Sequence, residues 1–298
     1  MDIDEFRKHG HHLIDWMADY MDTVEKLPVR SQVKPGKIAS LLKEKPPTNG
    51  EPMGNIIDDF KTNILPGVTH WQHPSFFAYF PANSSPPSVL AEMLTATLGA
   101  QCMLWQTSPA ATEMETRMME WLASMINLPQ KFSGVIQDSA SSATLCALLT
   151  AREQATSWKT NKSGFMKVSK KLIVYTSEEA HSSTEKGAKI TGFGRDNIRF
   201  IPTDNKFRMR ASLLRQKIQL DIKKGFVPTC VVASIGTTGV GAVDPIKEIA
   251  AICREFGVFL HIDAAWAGAA MVLPELRPMA DGIELADSIV INPHKWLL

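Results

Sequence analysis

Four sets of residues in this sequence have types and settings that could do chemistry. Lys295 lies between His294 and Trp296, just after the apolar run Ser288-Ile-Val-Ile-Asn292. Desolvation there would lower the amine's pKa and free it as a nucleophile for Schiff-base formation. A lysine that snorkels from a sheet edge would look the same in sequence. Asp263 ends another apolar run, Val258-Phe-Leu-His-Ile-Asp263, and small residues follow it. A carboxylate so placed needs a cationic partner, either a nearby arginine or a bound cation such as a protonated pyridine nitrogen. The segment Gly134-Val-Ile-Gln-Asp-Ser139-Ala-Ser141-Ser142 reads as a short strand entering a helix of about Ala140 to Thr156. Small hydroxyl residues and free N–H groups at a helix start suit an anion, although one serine alone would be an ordinary cap. His181 opens His181-Ser-Ser after a strand end, where it could lie over a flat aromatic ligand or simply face solvent.

The elements needed to position these residues can be read from the pattern. Lys171–Tyr175, Thr229–Ile235, Val258–Asp263 and Ser288–Asn292 are short apolar runs separated by helical stretches, one of them Pro245–Phe256 with Asp244 as its expected cap. Strands this apolar, alternating with helices, predict an α/β fold with parallel strands buried on both faces. In such sheets ligands bind beyond the carboxyl ends of the strands, and the unusual polar residues fall there repeatedly. Upstream, helices are expected over Asp4–Val24, Met53–Ile64, Ser88–Leu98 and Thr112–Asn127. The last carries Met114, Met118, Trp121, Leu122 and Met125 on one side, a stripe that reads as core filling.

Composition narrows the function. The 298 residues carry 32 Lys plus Arg against 31 Asp plus Glu, a net charge of +1, which argues against a general nucleic-acid binder. The apolar stretch Ala264–Pro274 is much shorter than the roughly 20 residues of a membrane span. Cys102, Cys146, Cys230 and Cys253 form no Cys-x-x-Cys pair, and the expectation is four reduced thiols in a cytoplasmic protein. His9, His11 and His12, and His70 with His73, lack further ligands at metal-binding spacing, so no metal is expected.

Taken together the motifs resemble those of pyridoxal-phosphate-dependent group II decarboxylases, closest to the aromatic L-amino acid decarboxylases. The matching stretches are Gly67-Val-Thr-His-Trp71-Gln-His-Pro-Ser-Phe-Phe-Ala-Tyr79-Phe-Pro81, Ser108-Pro-Ala-Ala-Thr-Glu-Met-Glu115, Ser139-Ala-Ser141, Ala180-His-Ser-Ser183, Gly236-Thr-Thr238, His261-Ile-Asp-Ala-Ala-Trp-Ala-Gly268 and Asn292-Pro-His-Lys-Trp-Leu-Leu298. The likeness runs over nearly the whole chain in the family's order.

The resemblance implies a fold-type-I large domain over 86–298, mostly parallel sheet flanked by helices and incomplete at its C-terminal end. A helical segment, 1–85, would precede it, wrapping a dimer partner and carrying a substrate-pocket loop. These 298 residues stop before the family's mobile catalytic loop and small C-terminal domain; taken as a whole polypeptide, they would be expected to expose a sheet edge and to aggregate or need a partner.

The resemblance also assigns roles. Lys295 would carry pyridoxal 5'-phosphate as a Schiff base, Asp263 would pair with the pyridine nitrogen, and His181 would stack on the ring. Ser139, Ala140, Ser141, Asn292 and His294 would hold the phosphate, and Ala265 would pack near the ring. Trp71, Tyr79, Phe80 and Pro81 would line the substrate pocket; Thr238 would touch both cofactor and substrate. Gln101 and Met103 lie where the second subunit of a homodimer would reach the pocket.

The implied reaction is decarboxylation of an L-amino acid, aromatic in type given Phe76-Phe-Ala-Tyr-Phe80, to the amine and CO₂. An aromatic aldehyde synthase and a cofactor-binding fragment without catalysis are the alternatives. Two departures from the family pattern fall at the phosphate segment, where Asp138 and Ser142 stand in place of the usual Gly and Glu. Asp138 must therefore point away from a phosphate or be paired. Gln101, Met103 and Ala82 also replace residues that in the aromatic enzymes are commonly apolar, aromatic or hydroxyl-bearing.

Overall fold

The structure is a computed structural model describing residues 1–80, 84–165 and 168–297. It divides into two compact units, Met1–Ser84 and Ser85–Leu298.

The first unit is built on α1 (Ile3–Thr23), α2 (Lys37–Leu41) and α3 (Met53–Asp59). A reciprocal cap starts α1: Asp2 accepts from the N–H groups of Asp4 (2.9 Å) and Glu5 (2.8 Å), and Glu5 accepts from Asp2 N–H (3.3 Å). One face of α1 packs Trp16 edge-on against Phe60, and Tyr20 OH bonds His70 Nδ1 at 2.8 Å. Among the described residues no group of three or more His, Cys, Asp or Glu side chains is arranged to hold a metal ion.

The second unit opens with α4 (Pro86–Leu98), α5 (Pro109–Met125), α6 (Ala140–Ala155) and α7 (Lys159–Ser163). Then β1 (Leu172–Ser177), α8 (Ser183–Ile190), β2 (Ile198–Ile201), α9 (Ala211–Lys223), β3 (Val227–Ser234), α10 (Ile246–Phe256), β4 (Phe259–Asp263) and β5 (Ser288–Val290) follow. The strands form one sheet of order β2-β1-β3-β4-β5, every neighbouring pair parallel. Alternation along β1, β3 and β4 explains why these strands are buried on both faces. Leu172, Val174, Cys230, Val232 and Phe259 pack with Leu148 and Ala151 of α6 and Ala188 of α8. Ile173, Tyr175, Val231, Ala233, Leu260 and Ile262 pack with Leu214 and Ile218 of α9 and Ile249 and Ile252 of α10. No helix among the described residues is long and apolar enough to cross a membrane.

Three expectations are corrected. The approach to α6 is no strand: Val135 and Ile136 are exposed, and Ile136 N–H donates to Glu115 Oε1 (2.7 Å) where a strand would need a ladder partner. Asp244 does not cap α10, whose N-cap is Pro245 with no side-chain bond. Its carboxylate is instead buried, accepting the N–H groups of Met209 (2.6 Å) and Ser234 (2.8 Å). Finally, Met114, Met118, Trp121 and Met125 of α5 are exposed rather than core; Leu122 alone of that stripe packs against the sheet's core.

Candidate active site

The parallel register brings three carboxyl-terminal strand ends level. Ser234 of β3 pairs with Asp263 of β4, which pairs with Val290 of β5. Asp263 shares a face with Phe259 and His261, the face covered by α6, because side chains repeat every second residue. Its Oδ1 accepts the N–H of Ala265 at 3.1 Å, and its carbonyl accepts from Ile235 N–H at 2.9 Å. After β5 the chain turns through Pro293–Lys295, with Lys295 N–H donating to Asn292 O at 3.2 Å. The Lys295 side chain is half-buried. Burial pushes its amine below the ordinary lysine range, while the negative charge of Asp263 pulls it back up. The amine and the carboxylate, supplied by successive strand ends, are thus close enough for the charge of one to act on the other.

The helix α6 packs against both β4 and β5. Ser139 is its N-cap, its Oγ accepting from Ser142 N–H at 3.3 Å. Ala140 and Ser141 occupy the first turn, where N–H groups have no acceptor within the helix and point at whatever lies beyond its end. Asp138 is paired: its carboxylate accepts the Ser142 hydroxyl, whose Oγ also lies 2.8 Å from Ser139 O. His181 follows β1 as an exposed ring whose Nδ1 accepts Ser183 N–H (3.3 Å) and lies 2.8 Å from Ser183 Oγ. These two contacts fix the ring's orientation.

The loop after β3 is held against the loop after β4. Gly236 has φ +80°, and a Cβ there would sit 2.6 Å from Ala267 Cβ and 2.8 Å from Trp266 Cε3. Only a glycine permits that approach. Thr238 is exposed in this loop, while Thr237 is buried with its Oγ1 accepting Ala242 N–H at 3.0 Å. Ala265 is buried; Asn292 is half-buried and His294 exposed.

The expected pocket residues fall in two separate segments. Trp71 is the hub of an aromatic cluster in the first unit, with ring centroids 4.8 Å from Phe76, 5.7 Å from Tyr79 and 5.7 Å from Phe80. Tyr79 has φ +59° and is exposed. Pro81 and Ala82 lie outside the described residues. Gln101 and Met103 stand on the exposed loop between α4 and α5, the Gln101 amide reaching back to Gly99 O at 3.4 Å.

The sequence reading gave no role to His261. This ring, 1% exposed, lies 3.3 Å through Nε2 from Thr144 Oγ1 and 2.8 Å through Nδ1 from Ser288 Oγ. Burial pushes its pKa down to about 4, with Asp263 pulling upward, so the ring is neutral. Its position two residues before Asp263 on a strand was the available signal.

The arrangement offers an amine, a carboxylate and a helix start around one sheet edge, a donor set that fits an aromatic aldehyde bearing a basic ring nitrogen and a phosphate. Comparisons with known proteins agree. The pyridoxal-dependent decarboxylase conserved domain matches residues 35–298. The chain is 45% identical to mouse (Mus musculus) aromatic-L-amino-acid decarboxylase, aligned over all of this chain and 64% of that protein. It is 42% identical to phenylacetaldehyde synthase of Arabidopsis thaliana, over all of this chain and 61% of that one. Its fold superposes on Catharanthus roseus tryptophan decarboxylase, solved with L-tryptophan, with a TM-score of 0.94 at 40% identity, covering all of this chain and 64% of that structure. The chain therefore spans a little under two thirds of the length of these relatives. With the matched domain covering most of its length, the chain belongs to the pyridoxal-dependent decarboxylase family.

Proposed function

We propose that the protein containing this chain decarboxylates an aromatic L-amino acid to its amine and CO₂ with pyridoxal phosphate. The observation that carries this reading is the Lys295–Asp263 pair, in which a half-buried amine feels a carboxylate from the tip of the neighbouring strand. Relatives named for aromatic amino acids support the substrate class.

Each residue has a task that its setting explains. Pyridoxal phosphate, when bound, supplies an electron-accepting pyridinium ring conjugated to the bond that breaks. The Lys295 amine would hold the cofactor covalently; the lowered pKa keeps more of it unprotonated and nucleophilic. Asp263 would hold a proton on the ring nitrogen, in a setting where partial burial strengthens the ionic hydrogen bond. Ser139, Ala140 and Ser141, with Asn292 and His294, would bind the phosphate. Charge-assisted bonds of about 1.5–3 kcal/mol each outweigh the helix dipole's roughly 0.3–1 kcal/mol, so directed donors carry the affinity. His181, its ring fixed by Ser183, would cover one face of the cofactor. Trp71, Tyr79 and Phe80 would receive the aromatic side chain, and Thr238 would border the substrate.

We also propose that the working form is a homodimer. The exposed apolar side chains of α4, α5 and the loop between them, Leu94, Leu98, Met103 and Met114 among them, support it.

The test is product analysis with the full-length protein across aromatic, acidic and imidazole amino acids. CO₂ and amine in equal amounts from an aromatic substrate, without hydrogen peroxide, are expected. Aldehyde, ammonia and hydrogen peroxide in place of amine would assign an aldehyde synthase, the activity named in the Arabidopsis relative. No CO₂ from any amino acid would overturn the catalytic reading.

A further inference from the structure

The His261 side chain links the elements that carry the groups assigned above to cofactor and substrate. Its Nε2 meets Thr144 Oγ1 (3.3 Å), one turn beyond the Ser139–Ser141 start of α6. Its Nδ1 meets Ser288 Oγ (2.8 Å), at the start of the strand that leads to Lys295. Asp263 lies two residues along the same strand face. Thr144 is itself fully buried.

A neutral imidazole has one N–H and one lone pair, so it can give a hydrogen bond to one hydroxyl and take one from the other. A leucine or phenylalanine of similar bulk would fill the space but leave both hydroxyls to find other partners, Thr144 turning back to its own helix. Filling the core does not require two hydroxyls aimed at the two nitrogens of one ring. Fixing the distance between a helix and two strands does. The interaction is also one-sided in charge. An uncharged ring leaves the Asp263 carboxylate to a cation outside the sheet, whereas an imidazolium would compete for it.

We infer that His261 is a positioning residue for Asp263, a bonded spacer between α6 and β5 that sets where the carboxylate stands relative to the first turn of the helix. The inference deepens the proposed function, since it rests on Asp263 as the partner of the cofactor's ring nitrogen. Orienting partners of this kind matter because a reacting centre tolerates displacements of only about 0.5 Å.

The experiment compares wild type, His261→Phe and His261→Gln in the full-length protein loaded with pyridoxal phosphate. The readouts are the visible absorbance and circular dichroism of the bound cofactor, its dissociation constant, and kcat and KM separately. His261→Phe should alter the cofactor's visible spectrum and lower kcat about tenfold, the lower end of what orienting partners contribute at other sites, with KM within about a factor of two. His261→Gln, which keeps a donor and an acceptor, should restore the wild-type spectrum and most of kcat. A His261→Phe protein with unchanged spectrum and kcat overturns the inference. If that variant does not fold, the double variant Thr144→Val/Ser288→Ala removes both hydroxyls and leaves the ring in place. It should give the same spectral change, and an unchanged spectrum overturns the inference. Wild-type protein that binds no cofactor would instead overturn the functional reading, a failure visible before any variant is made.

Discussion

Asp263 ends β4 and Lys295 stands in the turn that follows the neighbouring β5, and the carboxylate of the first raises the pKa of the second against the burial that lowers it. This opposition separates the roles of the pair. Lys295→Ala removes the attachment point, so full-length protein should lose the visible absorbance of the covalently held cofactor. Asp263→Asn leaves the amine in place. It should keep that absorbance while kcat falls by about 10²–10³-fold, the scale of removing one directed electrostatic partner of a developing charge. Turnover unaltered in Asp263→Asn would remove the carboxylate from the chemistry.

How much of this was readable beforehand follows from which interactions are local. The strands around Val174, Val232 and Ile262 announce themselves, because a strand buried on both faces must be apolar throughout. Lys295, Asp263 and His181 were visible as polar residues at the ends of such runs. Asp244 was misread because an acidic residue before a proline looks like a cap. Its true partners include Met209 N–H, 35 residues away in sequence, and no local pattern encodes that bond. His261 was passed over for the same reason, since Thr144 and Ser288 reach it only after the sheet has formed. The stripe on α5 was legible as a stripe, but a periodic apolar face does not say what covers it.

Asp244 and His261 make opposite contributions to the pH dependence of stability. His261 is lowered from 6.5 to about 4, so its contribution is complete above pH 6.5 and is lost as pH falls towards 4. Burial raises Asp244 from 3.8 to about 6, so its contribution is complete below pH 3.8 and is lost as pH rises through 6. At about 1.4 kcal/mol per pH unit the Asp244 contribution is on the order of 3 kcal/mol, and it opposes that of His261. Asp244→Asn should unmask the histidine. Its urea-unfolding free energy should drop by about 3 kcal/mol relative to the wild-type profile between pH 6.5 and 4. Parallel profiles for the two proteins would show that these groups do not titrate as their burial demands.

Two glycines with positive φ separate backbone strain from crowding. Gly257 ends α10 at φ +65° with nothing within 4 Å of a built Cβ. Gly257→Ala should therefore cost only the left-handed conformation, about 1 kcal/mol. At Gly236, φ +80° is joined by contacts of 2.6 Å and 2.8 Å to Ala267 and Trp266, in loops that flank the site. Gly236→Ala should cost about 2–4 kcal/mol, since overpacking against the Ala267 Cβ adds to the strain. It should also weaken cofactor retention, because relief requires the two loops to part. Chemical denaturation of both variants makes the comparison, and equal losses would refute the crowding argument.

The exposed face of α5 bears on assembly. Met114, Met118, Trp121 and Met125 follow one another at intervals of four, three and four residues, so they form a single stripe along the helix. Their exposures of 66%, 45%, 56% and 44% leave it open to solvent in this chain. Soluble monomers rarely carry apolar patches beyond a few hundred Å², and flexible methionines beside a tryptophan suit a surface that packs against another. Residues 1–298 expressed alone should therefore bind hydrophobic dyes and self-associate. In the full-length protein, Met118→Glu/Trp121→Glu should shift sedimentation from dimer towards monomer. Because these side chains lie outside the sheet's core, the substitutions should alter the folding stability of that monomer by no more than about 0.5 kcal/mol. A dimer that survives both charges would place the α5 stripe outside the subunit contact and leave its cover to the remainder of the polypeptide.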